Sequence, residues 1–189
     1  GDTGAAEAKV LFLSRAAVHL GYADRDDLET RLLAALDAIL GEKSPSHVDG
    51  KGAPGAISPE PEPRTAARVH QIRALFGLRA GDTGRYVREH ALALAAFEEA
   101  GDHRSACLEL VSLGSGYADL GAYVEAEEAL ARALAGAKRM GLRHIAPWAL
   151  QNLGHVRGRL GRKAEARACL DSALAAGDAQ RDARLLVRE

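Results

Sequence analysis

Apolar residues recur at helical spacing along most of this chain. Leu110, Leu113, Tyr117 and Leu120 fall on one face and predict a helix ending near Leu120. Gly121 permits a turn, and Tyr123, Ala126, Leu130, Ala133 and Leu134 form the inner stripe of a second helix that reaches Met140. Upstream, Ala5 to Leu20 reads as a helix broken at Gly21. Another begins at Asp24, Asp26 and Asp27, where acids complement the helix dipole, and runs through Leu28, Leu32, Leu36 and Ile39 to Gly41. Arg64 to Ala80 is helical. Gly101-Asp102 closes one helix and caps the next, and Pro147 lies in a first turn, where proline is tolerated. No sustained period-two alternation occurs, so the pattern predicts an all-α chain.

The pattern also repeats. Leu113 to Leu134 (LGSGYADLGAYVEAEEALARAL) returns further along as Leu153 to Leu174 (LGHVRGRLGRKAEARACLDSAL). Leu-Gly, a second Leu-Gly, Glu-Ala and Ala-Leu stand at the same offsets in both. Gly114, Ala126 and Ala133 are small where two helices must approach. Leu-Gly, an aromatic, Gly-x-Tyr, Glu-Ala and Ala-Leu together resemble the tetratricopeptide repeat (TPR). Arg157 and Lys163 stand where that consensus has aromatics, and its late proline is missing. The resemblance implies a solenoid of stacked antiparallel helix pairs. It is closest to the long-repeat arms of bacterial signalling proteins, attached to kinases or ATPase-type regulators. Phe76-Gly77, Gly84-x-Tyr86 and Ala96-Phe97 extend the frame upstream, which makes Gly77 the counterpart of Gly114 and Gly84 that of Gly121. Glu89 then falls in a place normally held by Ala. Gly177-Asp178 repeats the Gly-Asp punctuation.

The expected organisation is a helical hairpin or degenerate repeat over 1–41 and a Pro/Gly-rich linker or loop over 42–63. Repeats then cover 64–101, 102–141 and 142–177, with a partial repeat or cap over 178–189. The linker holds five of the six prolines, a composition that favours extended backbone over a packed core. Its Gly50-x-Gly52-x-x-Gly55 lacks the preceding strand and following helix that a dinucleotide fingerprint needs.

Composition narrows the function. A net charge of −1 argues against general nucleic-acid or membrane binding, and no apolar run is long enough to span a bilayer. Without a leader-like start, the chain reads as a piece of a larger cytoplasmic protein. Cys107 and Cys169 are expected as separate buried thiols. The seven histidines have no metal-ligand spacing, Gly114-Ser115-Gly116 is no nucleophile elbow, and Gly81-Asp82-Thr83-Gly84 lacks a phosphate-loop lysine. Glu98-Glu99 and Glu127-Glu128 read as solvated charge. No catalytic residue, metal or cofactor is therefore assigned.

What the resemblance implies is a concave groove taking a peptide or partner helix. Carried over position by position, the groove would present Trp148, Gln151, Asn152, His155 and Arg159 from the third unit. Ser115 and Asp119, with Leu108 and Ser112, would come from the second, and Gln71, Leu78 and Asp82 from the first. Asn152 either reads a ligand backbone or ties helices together; Trp148 either meets the ligand or packs between units. Arg64, Arg68 and Arg79 share a helical face, read as solvated or as an acidic-peptide site. The leading function is a non-catalytic interaction or regulatory module. Homo-oligomerisation through repeat ends is the alternative, and an enzyme on a helical scaffold a third.

Overall fold

The computed structural model describes residues 8, 10, 26–40 and 62–186. Among the described residues every regular element is helical. These are α1 (Asp26–Leu40), α2 (Pro63–Arg79), α3 (Thr83–Glu99), α4 (His103–Asp119), α5 (Tyr123–Arg139), α6 (Ile145–Arg159) and α7 (Lys163–Leu186). Of the expected helix over Ala5–Leu20 only residues 8 and 10 are described, both helical, and the segment 42–61 lies outside the described residues. Pro63 belongs to α2, as its first residue, where a missing N–H costs nothing.

Among the described residues, five like stops divide the chain. Gly81, Gly101, Gly121, Gly141 and Gly161 all have positive φ and are evenly spaced. At each, the glycine N–H bonds the carbonyl three residues back, and the next N–H bonds the carbonyl five residues back. Gly81 N to Leu78 O (3.1 Å) and Asp82 N to Gly77 O (2.9 Å) are the first such pair. This is the Schellman termination, which needs a left-handed residue that glycine adopts without penalty. Two of the stops also start the next helix. Asp82 Oδ1 accepts from Arg85 N (2.7 Å), and Asp102 Oδ1 accepts from Ser105 N (3.1 Å).

This series corrects the upstream register. Gly81, not Gly84, is the counterpart of Gly121, so the amino-terminal repeat is displaced by one full helix pair, as the later repeats are. Gly77 serves another purpose, since a Cβ there would lie 2.9 Å from the backbone nitrogen of Tyr86. The expected break at Gly177-Asp178 does not occur, and α7 passes through both residues. The next stop in the series would fall at position 181, where Arg181 stands.

Each helix packs on the next in the chain, and α4 also packs directly on α6. The main core joins α3, α4, α5 and α6 through Phe97, Leu110, Leu113, Leu130, Ile145 and Leu153. A smaller one holds α1 on α2 through Leu32, Leu36, Val69, Ile72 and Phe76, with Arg73 paired to Asp37. Helices interlock at glycine notches. Leu130 of α5 fills the space over Gly114, and Leu170 of α7 fills the space over Gly154.

Two of the polar bridges between helices bear on the expectations above. Glu127, expected as plain solvated charge, accepts from Arg157 Nε (2.8 Å) and Arg162 Nη1 (2.6 Å), joining α5 to α6 and to the turn before α7. Those arginines, the first of them the missing aromatic's replacement, hold the Glu127 carboxyl below its ordinary range. The second bridge is a ladder of two rungs: His70 Nδ1 lies 2.8 Å from Glu89 Oε2, and His90 Nδ1 lies 2.6 Å from Glu109 Oε2. The rungs have the same span in sequence and lie one helix–turn step apart. Glu89, which departs from the small residue expected there, is thus a partner for His70.

Candidate functional site

The groove forms because α3 and α6 both pack on α4 but not on one another. Helix α4 is the floor and supplies Val111, Ser112 and Ser115. One wall is Tyr86 from the start of α3; the other is Trp148, Gln151 and Asn152 from the first half of α6. Together they enclose an open cleft of about 290 Å³.

The Tyr86 wall is held from behind. A Cβ on Gly116 would lie 2.6 Å from Val87 Cγ2 and 2.9 Å from Tyr86 Cδ1, so this glycine lets α3 lie against α4. The Tyr86 ring meets His90 edge to face, with centroids 4.3 Å apart. Behind His90 is Glu109, 1% exposed, whose other oxygen accepts from Gln71 Nε2. A buried carboxylate needs such partners, because an unsatisfied one loses its full hydration. Burial pushes the Tyr86 phenol up, opposed by its hydrogen bond with Ser112 and reinforced by the charges of Glu109 and Asp119.

The opposite wall is open. Trp148 is 55% exposed, and Gln151 beside it is exposed. Asn152 is half-buried, one turn further along. Trp148, Gln151, Asn152 and Ser115 therefore meet in one cleft. Asp119, His155 and Arg159 are exposed but line no part of it. Arg159 instead donates to Tyr123 Oη (2.9 Å), its guanidinium 5.5 Å from the centre of that ring. Gln71 is committed to Glu109, and Asp82 caps α3. Of the arginine face on α2, Arg68 bonds Gln71 and lies 5.3 Å from the Phe97 ring centre, so it is a packing residue as much as a charge.

Tyr86 was not legible as a groove residue. The register that pairs Gly84 with Gly121 gives it the place of Tyr123, and its nearness to Ser112 depends on Gly116, a residue of the following helix.

A larger cleft of about 420 Å³ lies between α5, α6 and α7. Its walls are mostly Ala and Leu, and Arg157 there already donates to Glu127 and to Cys169 Sγ. It offers fewer uncommitted directional groups than the cleft on α4. Cys107 and Cys169 are both buried free thiols. Among the described residues, no group of three His, Cys, Asp or Glu side chains could hold a metal ion, and no helix is long and apolar enough to cross a membrane.

No family model, no curated protein and no solved structure matches the chain.

Proposed function

We propose that this chain is a non-catalytic interaction module, built as TPR-like stacked helix pairs, that holds an extended peptide segment of a protein partner in the cleft on α4. The fixed helix–turn period and the packing of α4 on α6 support the stacked-pair reading. The observation that carries the function is the convergence of Ser115, Gln151 and Asn152 beside an exposed tryptophan. Side-chain amides both donate and accept, so they satisfy a peptide backbone whatever its side chains. In the full protein such a module would serve regulation in the cytoplasm, as in the signalling proteins it resembles.

Selection from a random peptide library tests this. Asn152→Ala and Gln151→Ala each remove a neutral hydrogen bond, so each weakens the selected peptides roughly 2- to 12-fold while the melting temperature holds. Lost stability with intact affinity would assign Asn152 to helix tying and remove the groove reading.

A second reading has its own observation. Leu130 is 0% exposed, but its counterpart one repeat later, Leu170, is 41% exposed, and Leu174 is 68% exposed. Self-association through α7 would cover them. Light scattering across a concentration series, repeated with Leu174→Glu, decides it: a mass that never rises with concentration excludes assembly.

A further inference from the structure

We propose that the cleft on α4 selects an uncharged, proline-containing segment in polyproline II conformation, seated between Tyr86 and Trp148; this rests on the peptide-reading role above. Size makes the first cut. The cleft is open and holds about 290 Å³, so it engages a short stretch of its ligand; as polyproline II such a stretch advances about 3.1 Å per residue.

Charge makes the second cut. Tyr86, Val111, Ser112, Ser115, Gln151, Asn152 and Trp148 include no cation to receive an acidic ligand. Glu109 and Asp119 act on Tyr86 from behind and beside it, and the nearby Arg159 is engaged by Tyr123. A carboxylate would meet no cationic partner on the walls of the cleft.

Hydrogen-bonding balance makes the third. Proline has no N–H, so a proline-rich segment presents outward carbonyls with few donors. Ser115, Gln151 and Asn152 can all donate. Tyr86 and Trp148 stand on opposite walls, and aromatic-lined grooves are the kind that hold polyproline helices. Tyr86 is fixed in advance by Gly116, Ser112 and His90, and polyproline II is itself pre-ordered, so little freedom is lost on binding.

Trp148 is the chain's one tryptophan, so its fluorescence reports on the cleft alone. Blocked peptides of about nine residues, long enough to pass through the cleft, serve as probes: Ala-Pro-Pro repeats, a Gly-Ser chain, a Glu-rich chain, and an amphipathic helix former. The proline peptide is expected to shift Trp148 emission saturably, and the other three not. By calorimetry, Trp148→Ala and Tyr86→Ala each weaken it about tenfold. Leu92→Ala, exposed on α3 and outside the cleft, leaves affinity unchanged. Trp148 is exposed, so its variant keeps the folded state even if Tyr86→Ala lowers the melting temperature. Preference for the Glu-rich peptide or the helix, lost in Trp148→Ala, would overturn the ligand class and leave the groove standing. Proline binding indifferent to both aromatic variants would overturn the seat between them. If none of the four binds, and library selection yields nothing, both readings fall together.

Discussion

Gly114 and Gly154 occupy equivalent notches, yet alanine should cost much more at the first than at the second. In either helix, Gly→Ala gains roughly 1 kcal/mol of helix propensity. Against that stands the space a new Cβ would need. At Gly114 it would lie 2.3 Å from Leu130 Cγ and 2.7 Å from Leu130 Cδ2. Ordinary carbon contacts are about 3.5–4.0 Å, so Leu130 must retreat by more than an ångström. It is 0% exposed and has nowhere to go, which puts the overpacking at the upper end of about 1–3 kcal/mol. At Gly154 the Cβ would lie 2.7 Å from Leu170 Cγ, but Leu170 is 41% exposed and can swing outward. Only the carbonyl of Ala166, at 3.1 Å, resists. The expected balance is a loss of about 1–2 kcal/mol for Gly114→Ala and a change within about 0.5 kcal/mol for Gly154→Ala. In a domain of this size each kcal/mol moves the melting temperature by about 2–4 °C. Urea denaturation with unchanged m-values measures both. Leu130→Ala combined with Gly114→Ala should show a favourable coupling, because the smaller side chain vacates the notch. Equal losses at the two glycines, or no coupling, would refute the argument that exposure of the facing leucine decides the cost.

Two further outcomes follow from the polar bridges. Glu109→Ala strands His90 and Gln71 and should cost about 2–4 kcal/mol; the corresponding rungs further along are Leu110 with Ala129 and Leu130 with Ala149, all buried, so His90→Leu/Glu109→Ala should be more stable than Glu109→Ala alone by denaturation. Because the folded Glu127 carboxyl lies below its ordinary value of 4.5, its contribution is fully present above that pH and is lost as pH falls through the depressed folded value; the melting gap between the native chain and Glu127→Gln should therefore be constant above about pH 5.5 and close on acidification.

Punctuation was the most legible level of the fold. The stop at Gly121, the Asp102 cap and the place of Pro147 depend on local backbone chemistry that a few adjacent residues carry. The slip in the upstream register arose because glycine has two uses here. Gly81 turns the chain, whereas Gly77 admits a neighbouring backbone; in sequence both are simply a glycine near a helix end. Asp82, capping the next helix directly after the turn, is the signal that separates them. Trp148, Gln151, Asn152 and Ser115 were readable together because they share a repeat frame. Tyr86 was not, since its place depends on a notch in another helix. Arg159 shows the opposite failure: its position in the frame is equivalent, but Tyr123 is near enough to claim it.

The even spacing of the left-handed glycines makes the chain a text that can be edited in whole words. Helices α2 to α5 each span 17 residues, and every step closes with the same turn. Deleting 102–141 would join Gly101 to Leu142, connecting α3 to α6 through an unchanged turn and keeping the alternation of helices. A cut one residue longer or shorter, made inside a helix, rotates everything downstream on that helix by about 100°, carrying its buried face toward water. Genetic duplication or loss at this spacing is therefore a small step for the fold, and at any neighbouring length a ruinous one.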